Sequence, residues 1–285
     1  MTAFCARRHR AHKSGYNLSV PLTFAHPAAV LPLRRCGLVI SAMVVGSMAP
    51  DCEYFFGLRH PASHAMPGVV TFTFPLALAV LVIFHAIVKW PLISLMPAGM
   101  QARLIGPARR FRWFPANRFL LILLSLAIGI ATHILLDGFT HPDSWAILHF
   151  AALRTMVPIP AHRPMPMYAL LQYGTSAVGL LALAIGSAFW YRRAAAESVL
   201  LRPQFSAAVK WTILSVMLAT AVVLGYVIGA AWYGQVFRGD SARVRFVFSF
   251  AISTSIVAAV ELFGFSVIWQ TWLGRRETVS DSHTA

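Results

Sequence analysis

Acidic side chains are nearly missing from this sequence: nine Asp and Glu in 285 residues. All charged residues together make up 12%, against about 25% in an ordinary soluble domain. That shortage excludes a soluble globular domain of usual surface. Cysteine is also scarce. The three, Cys5, Cys36 and Cys52, form no CxxC pair, which excludes a disulfide framework and a thiolate zinc site. No internal repeat and no low-complexity tract is present, which argues against an inverted-repeat transporter. The basic N-terminus is not followed by a continuous apolar core, so a cleaved signal peptide is not expected.

What the chain has instead is apolar sequence, 58% by residue type. A crossing of roughly 30 Å of hydrocarbon needs about 20 apolar residues in helix. Five runs meet that length, at 68–88, 119–136, 168–191, 211–233 and 246–273. A shorter run at 37–49 follows "HPAAVLPLRR" closely. Two short helices near 27–35 and 38–49 are expected to fold as a hairpin within the bundle. The expected fold is an all-α polytopic membrane bundle, with five long transmembrane helices plus this N-terminal hairpin. Residues 21–273 form its single domain. Residues 1–20 are expected to be a disordered basic extension and 274–285 a disordered tail.

The net charge is +15. Nucleic-acid binders gather Lys and Arg on a soluble surface. Here they lie between apolar runs, which points to membrane lipid as the partner and not to nucleic acid. Lys89, Arg103, Arg109, Arg110, Arg112 and Arg118 crowd the loop after the first run. Arg192, Arg193, Arg202 and Lys210 follow the third, while 138–167 holds only Arg154 and Arg163. The positive-inside bias places the first and third of these loops, and the C-terminus, in the cytoplasm.

With so few acids, their positions carry information. Asp51 lies in "GSMAPDCEYF", followed by His60 and His64. His133, Asp137 and His141 lie in "ATHILLDGFTHPDSW". The first group precedes one span and the second ends the next, so both belong to one side of the membrane. A hairpin over 27–49 brings His26 to that side too. Ionisable groups in a span are functional candidates by default. Positions i and i+4 of a helix differ by about 40° and rise about 6 Å, so His133 and Asp137 can reach one ion. His141 lies about 12 Å up the axis if the helix continues. Gly138 is a natural terminator, and Pro142 moves His141 out of helical geometry, so the helix is expected to stop near Asp137. Neutral His and carboxylate suit zinc, manganese or iron.

Simpler readings exist for each residue. Asp51 after Pro50 could cap a helix. His133 and Asp137 could be a hydrogen-bonded pair, and His60 and His64 loop residues. His85 reads as a packing residue, His149 and His162 as loop residues, and Glu261 as a polar contact between helices. Gly46, Ser47 and Ala49 read as small residues that let helices approach.

The motifs "TFAHPAAVLPLRR", "GSMAPDCEYFF", "SHAMPGVVTFTFPL", "FHAIVKWPLISLMP", "THILLDGFTHPDSW" and "LLQYGTSAVGL" occur in this order. The set resembles a bacterial integral-membrane family, domain of unknown function DUF4184. That family is distantly similar in pattern to membrane-bound metal-dependent hydrolases. The resemblance implies the bacterial inner membrane. It implies a divalent transition metal, zinc first, held by His26, Asp51, His64, His133 and Asp137. His141 would be a further ligand or the general base. In "RHPASHAMPG", Arg59 is spaced differently from the Arg beside the middle histidine of those hydrolases. The implied activity is hydrolysis of a lipid or lipid-linked (phospho)ester at the interface. The rivals are an ion- or proton-handling bundle using Glu261, and a structural membrane protein. The separation of Asp51 from His64 and His133 decides between them.

Overall fold

A computed structural model describes residues 23–56, 66–142, 144–160, 164–197, 204–231 and 242–273. His60, His64, Asp143 and His162, and the expected extension and tail, lie outside the described residues. Five helices are long and apolar enough to cross a membrane. They are Met66–Leu95, Ala116–Thr140 with its continuation to His149, Met167–Arg193, Ala207–Ala231, and Ala242–Ile268. We refer to them as the first to fifth spans. Large apolar side chains such as Val82, Leu120, Leu124, Val216, Leu218 and Val223 stand exposed on their outer faces. Such all-round apolar helices are stable where hydrocarbon covers those faces.

The N-terminal hairpin forms, but its first arm is not α-helical. Thr23–Arg35 is a 3-10 helix. Pro27 and Pro32 lie inside it and remove two backbone donors that an α-helix would use. Gly37, at φ +75°, makes the turn in the left-handed region that favours glycine. The second arm, Ile40–Met48, is α-helical and runs on into a 3-10 turn, Ala49–Phe56.

That second arm is the centre of the packing. Val39, Ala42 and Ala49 meet Ala77 and Leu81 of the first span and Ile122, Leu126 and Ile130 of the second. Gly46 and Gly129 face each other where the arm crosses the second span. A Cβ on Gly129 would run into the Met43 carbonyl, and one on Gly46 into the Leu126 carbonyl. Two helices therefore cross backbone to backbone, which only small residues permit. The expectation for Gly46 is met.

The two ends of the bundle differ. At one end Lys210 Nζ donates to the Met96 carbonyl at 2.8 Å, and Arg103 Nε to the Tyr191 carbonyl at 2.7 Å. The loops after the first and third spans thus meet at one basic end. His85 lies toward that end, packed as expected: it stacks on Phe111 at 3.4 Å, and its Nε2 is 3.0 Å from Ser41 Oγ. At the other end the second span does not stop at Asp137. It runs one further turn to Thr140, straight through Gly138, with His141 as its extended C-terminal cap at φ −109°. A Cβ added at Gly138 would meet nothing within 4 Å and the residue stays helical, so Pro142 supplies the stop. The loop beyond holds a short helix, Trp145–His149, and an antiparallel pairing of Met156–Val157 with Met165–Pro166, a β element that the all-α expectation lacked. His149 stacks on Trp145 at 4.7 Å.

Candidate metal centre

Four of the expected residues arrive together. His26 comes from the first arm, Asp51 from the turn after the second arm, and His133 and Asp137 from the second span. His133 Nε2 is 3.2 Å from Asp137 Oδ2 and 3.5 Å from Asp51 Oδ1. His26 Nε2 is 3.7 Å from Asp137 Oδ1. The rings of His26 and His133 stack at 4.0 Å. Ligand atoms of His26, Asp51 and His133 all lie within 4.8 Å of one another. All four residues are buried, His133 completely. His141 Nδ1 reaches Asp137 Oδ1 at 3.5 Å, with its side chain 26% exposed. It is therefore the rim of the cluster. The break expected at Gly138 does not occur, and the helix continues to Thr140. The cap residue itself turns back over Asp137.

His26, Asp51 and His133 could together hold a metal ion, with Asp137 beside them. Zinc bonds of about 2.0–2.2 Å in a tetrahedron put neighbouring donors about 3.3 Å apart. Three of the described donor pairs lie at 3.2–3.7 Å. Two carboxylates are buried here, and a divalent cation neutralises both. His133 Nδ1 lies 2.8 Å from the Ser47 carbonyl. A carbonyl only accepts, so Nδ1 carries a proton, and Nε2 is the ring atom turned toward Asp51 and Asp137. Metal-bound histidines are oriented in this way. Burial, and then the neighbouring His133, lower the His26 pKa to about 4, so this ring is neutral near pH 7. Burial alone would raise the Asp51 pKa. The hydrogen-bonded His133 and the Thr23 hydroxyl outweigh it and hold the carboxyl below its usual range.

Two supporting residues went unread in the sequence. Thr23 Oγ1 donates to Asp51 Oδ2 at 2.5 Å. Ser47 counted only as a small packing residue, and it contributes through its backbone carbonyl. Thr23 lies three residues before His26 in the same motif, a cue that is visible once Asp51 is known to be near. Thr23→Val should leave the fold intact and weaken zinc binding roughly 10–100-fold, the usual effect of losing a supporting hydrogen bond. Competition against a chelator of known affinity measures it; an unchanged affinity would mean that the hydroxyl does not support a metal ligand.

The cluster borders a small recess lined by His26, Asp137, Thr140, His141, Gln172 and Thr175, among others. Glu261 is not among the residues lining it. It accepts a hydrogen bond from Thr220 between the fourth and fifth spans, as a polar contact between helices would.

Comparison with known proteins adds one match. The family described as a domain of unknown function (DUF4184) matches residues 20–269. No curated protein and no solved structure matches the chain.

Proposed function

The chain belongs to the DUF4184 family, and on that premise we propose that it is a membrane-embedded metal-dependent hydrolase of a lipid or lipid-linked (phospho)ester. The observation that carries this reading is the convergence of two imidazoles and two carboxylates, buried and from three separate elements, beside a recess at one end of the bundle. Bundles held together by polar contacts alone need no such set.

His26, Asp51, His133 and Asp137 hold the metal, zinc by donor chemistry. His64 of the "SHAMPG" motif is a candidate fifth ligand. When bound, the metal lowers the pKa of a water toward neutrality and polarises the ester oxygen. The chain's own groups do the rest. Ser47 fixes the tautomer of His133, and Thr23 fixes Asp51. His141 is partly exposed at the rim, against the carboxylate of Asp137. From there it can take a proton from the attacking water and pass it to the leaving oxygen. The basic end binds anionic headgroups in the cytoplasmic leaflet, which places the centre at the opposite face.

The test is hydrolysis of a mixed lipid-ester panel by the protein in nanodiscs. Stripping with a chelator should lower the rate about 100-fold or more, and adding back zinc should restore it. Hydrolysis that persists after complete metal removal would overturn the reading, as would no hydrolysis of any ester by metal-loaded protein.

A further inference from the structure

Gln172 is a buried polar residue near the start of the third span, and nothing so far uses it. It is 4% exposed, yet both its Oε1 and its Nε2 have no hydrogen-bond partner among the described residues. A buried amide left in this state costs stability, and native proteins rarely keep one without a use. The contrast is Gln101, equally buried at the basic end. Its Nε2 donates to the carbonyls of Ser94 and Met96, both at 2.9 Å, so Gln101 ties a loop together. Gln172 ties nothing together.

Its direction is set by the helix. Gln172 and Gly179 are seven residues apart and share one face of the third span. Gly179 lies against the first arm, where an added Cβ would stand 3.0 Å from the Ala25 carbonyl. The same face therefore carries Gln172 to His26, and it lines the recess with His26, Asp137, Thr140 and His141. Thr175 and Ser176, one turn further from the helix start and half-buried, also line the recess. Thr175 Oγ1 donates to the Leu171 carbonyl at 2.7 Å, so toward the recess it can only accept. Free space amounts to about 10 Å³, room for one water-sized group. Gln172 is five residues into its helix, so it sits about 8 Å below the helix start.

A group that satisfies both ends of one amide must both donate and accept. A hydroxyl does both and fits the space, whereas an ionised phosphate oxygen only accepts. We propose that Gln172 is a binding residue of this recess, and that the recess takes a hydroxyl carried by the polar headgroup of a lipid. This assignment rests on the reading of the site as one for lipid esters, and it names a feature of the substrate.

Binding of short-chain phosphatidylglycerol and phosphatidic acid to the purified full-length protein in detergent tests it, read by native mass spectrometry. Both lipids are anionic, and only the first carries headgroup hydroxyls. Wild type should prefer phosphatidylglycerol by about 10-fold, the scale of one net hydrogen bond. Gln172→Leu, which keeps the volume and removes the polar atoms, should abolish that preference while zinc content stays at the wild-type level. Equal binding of the two lipids by wild type overturns the proposal, and so does full preference in Gln172→Leu. The wild-type comparison stands even if the variant does not fold. Zinc content in the same samples separates the two readings: a hydroxyl preference that needs Gln172 in a protein holding no metal would refute the hydrolase and leave this site in place.

Discussion

His133→Ala should empty the centre of metal. Wild-type protein purified without chelator is expected to hold about one zinc per chain, and the variant only background. The reason lies in how many interactions end on one ring. His133 Nε2 faces both Asp51 and Asp137, its Nδ1 is anchored on the Ser47 carbonyl, and its face stacks on His26. Loss of the ring removes a donor, unseats a second and leaves two buried carboxylates side by side. Affinity should fall by more than the roughly 100-fold that a lost supporting hydrogen bond costs. Stability should fall as well, by about 3–5 kcal/mol, as when one partner of a buried ionic contact is removed. Elemental analysis after gel filtration measures the first effect and thermal unfolding the second. A wild-type protein free of transition metal after growth in zinc-supplemented medium would refute the centre. So would an alanine variant that still holds a full equivalent.

Gly129→Ala is expected to have the second-largest effect, although it touches no ligand. A single methyl there meets the Met43 carbonyl, with Ser47 N at 2.9 Å and Gly46 Cα at 3.0 Å. These are backbone atoms of a helix and cannot swing aside, so the two helices must separate. Overpacking of this kind costs about 1–3 kcal/mol. The Ser47 carbonyl moves with its helix, away from His133 Nδ1, so zinc affinity should fall together with the melting temperature. Gly186→Ala is the control. Its new methyl would find only Leu31 Cδ1, at 3.8 Å, and in a helix the change from glycine gains up to about 1 kcal/mol. If the two variants melt together, the helix crossing does not depend on the glycine pair.

Much of this was legible in the chain. The five spans followed from the length of apolar runs, because hydrocarbon thickness imposes one minimum length on every crossing helix. The His133–Asp137 pair followed from helical periodicity. Asp51 and His26 were placed on the same side by counting crossings. Other features were not legible, for local reasons. Gly138 reads as a stop and is an ordinary helical residue, because nothing crowds it and Pro142 ends the helix two residues after Thr140. Gln172 looked like one letter of a family motif. Its meaning depends on which face of the third span meets the first arm, and Gly179 settles that.

The sequence by itself determined a membrane bundle, its five crossings, the end at which its few acids and histidines gather, and its family. Apolar length, charge bias and periodicity are one-dimensional properties and need no partner. Only the tertiary structure decided that Asp51 stands 3.5 Å from His133, that Ser47 sets the tautomer of that ring, and that Gln172 opens onto the same recess. The Ser47 contact alone joins residues 86 positions apart. These contacts depend on how closely two backbones approach at Gly46 and Gly129, a distance that no pattern along a single chain encodes.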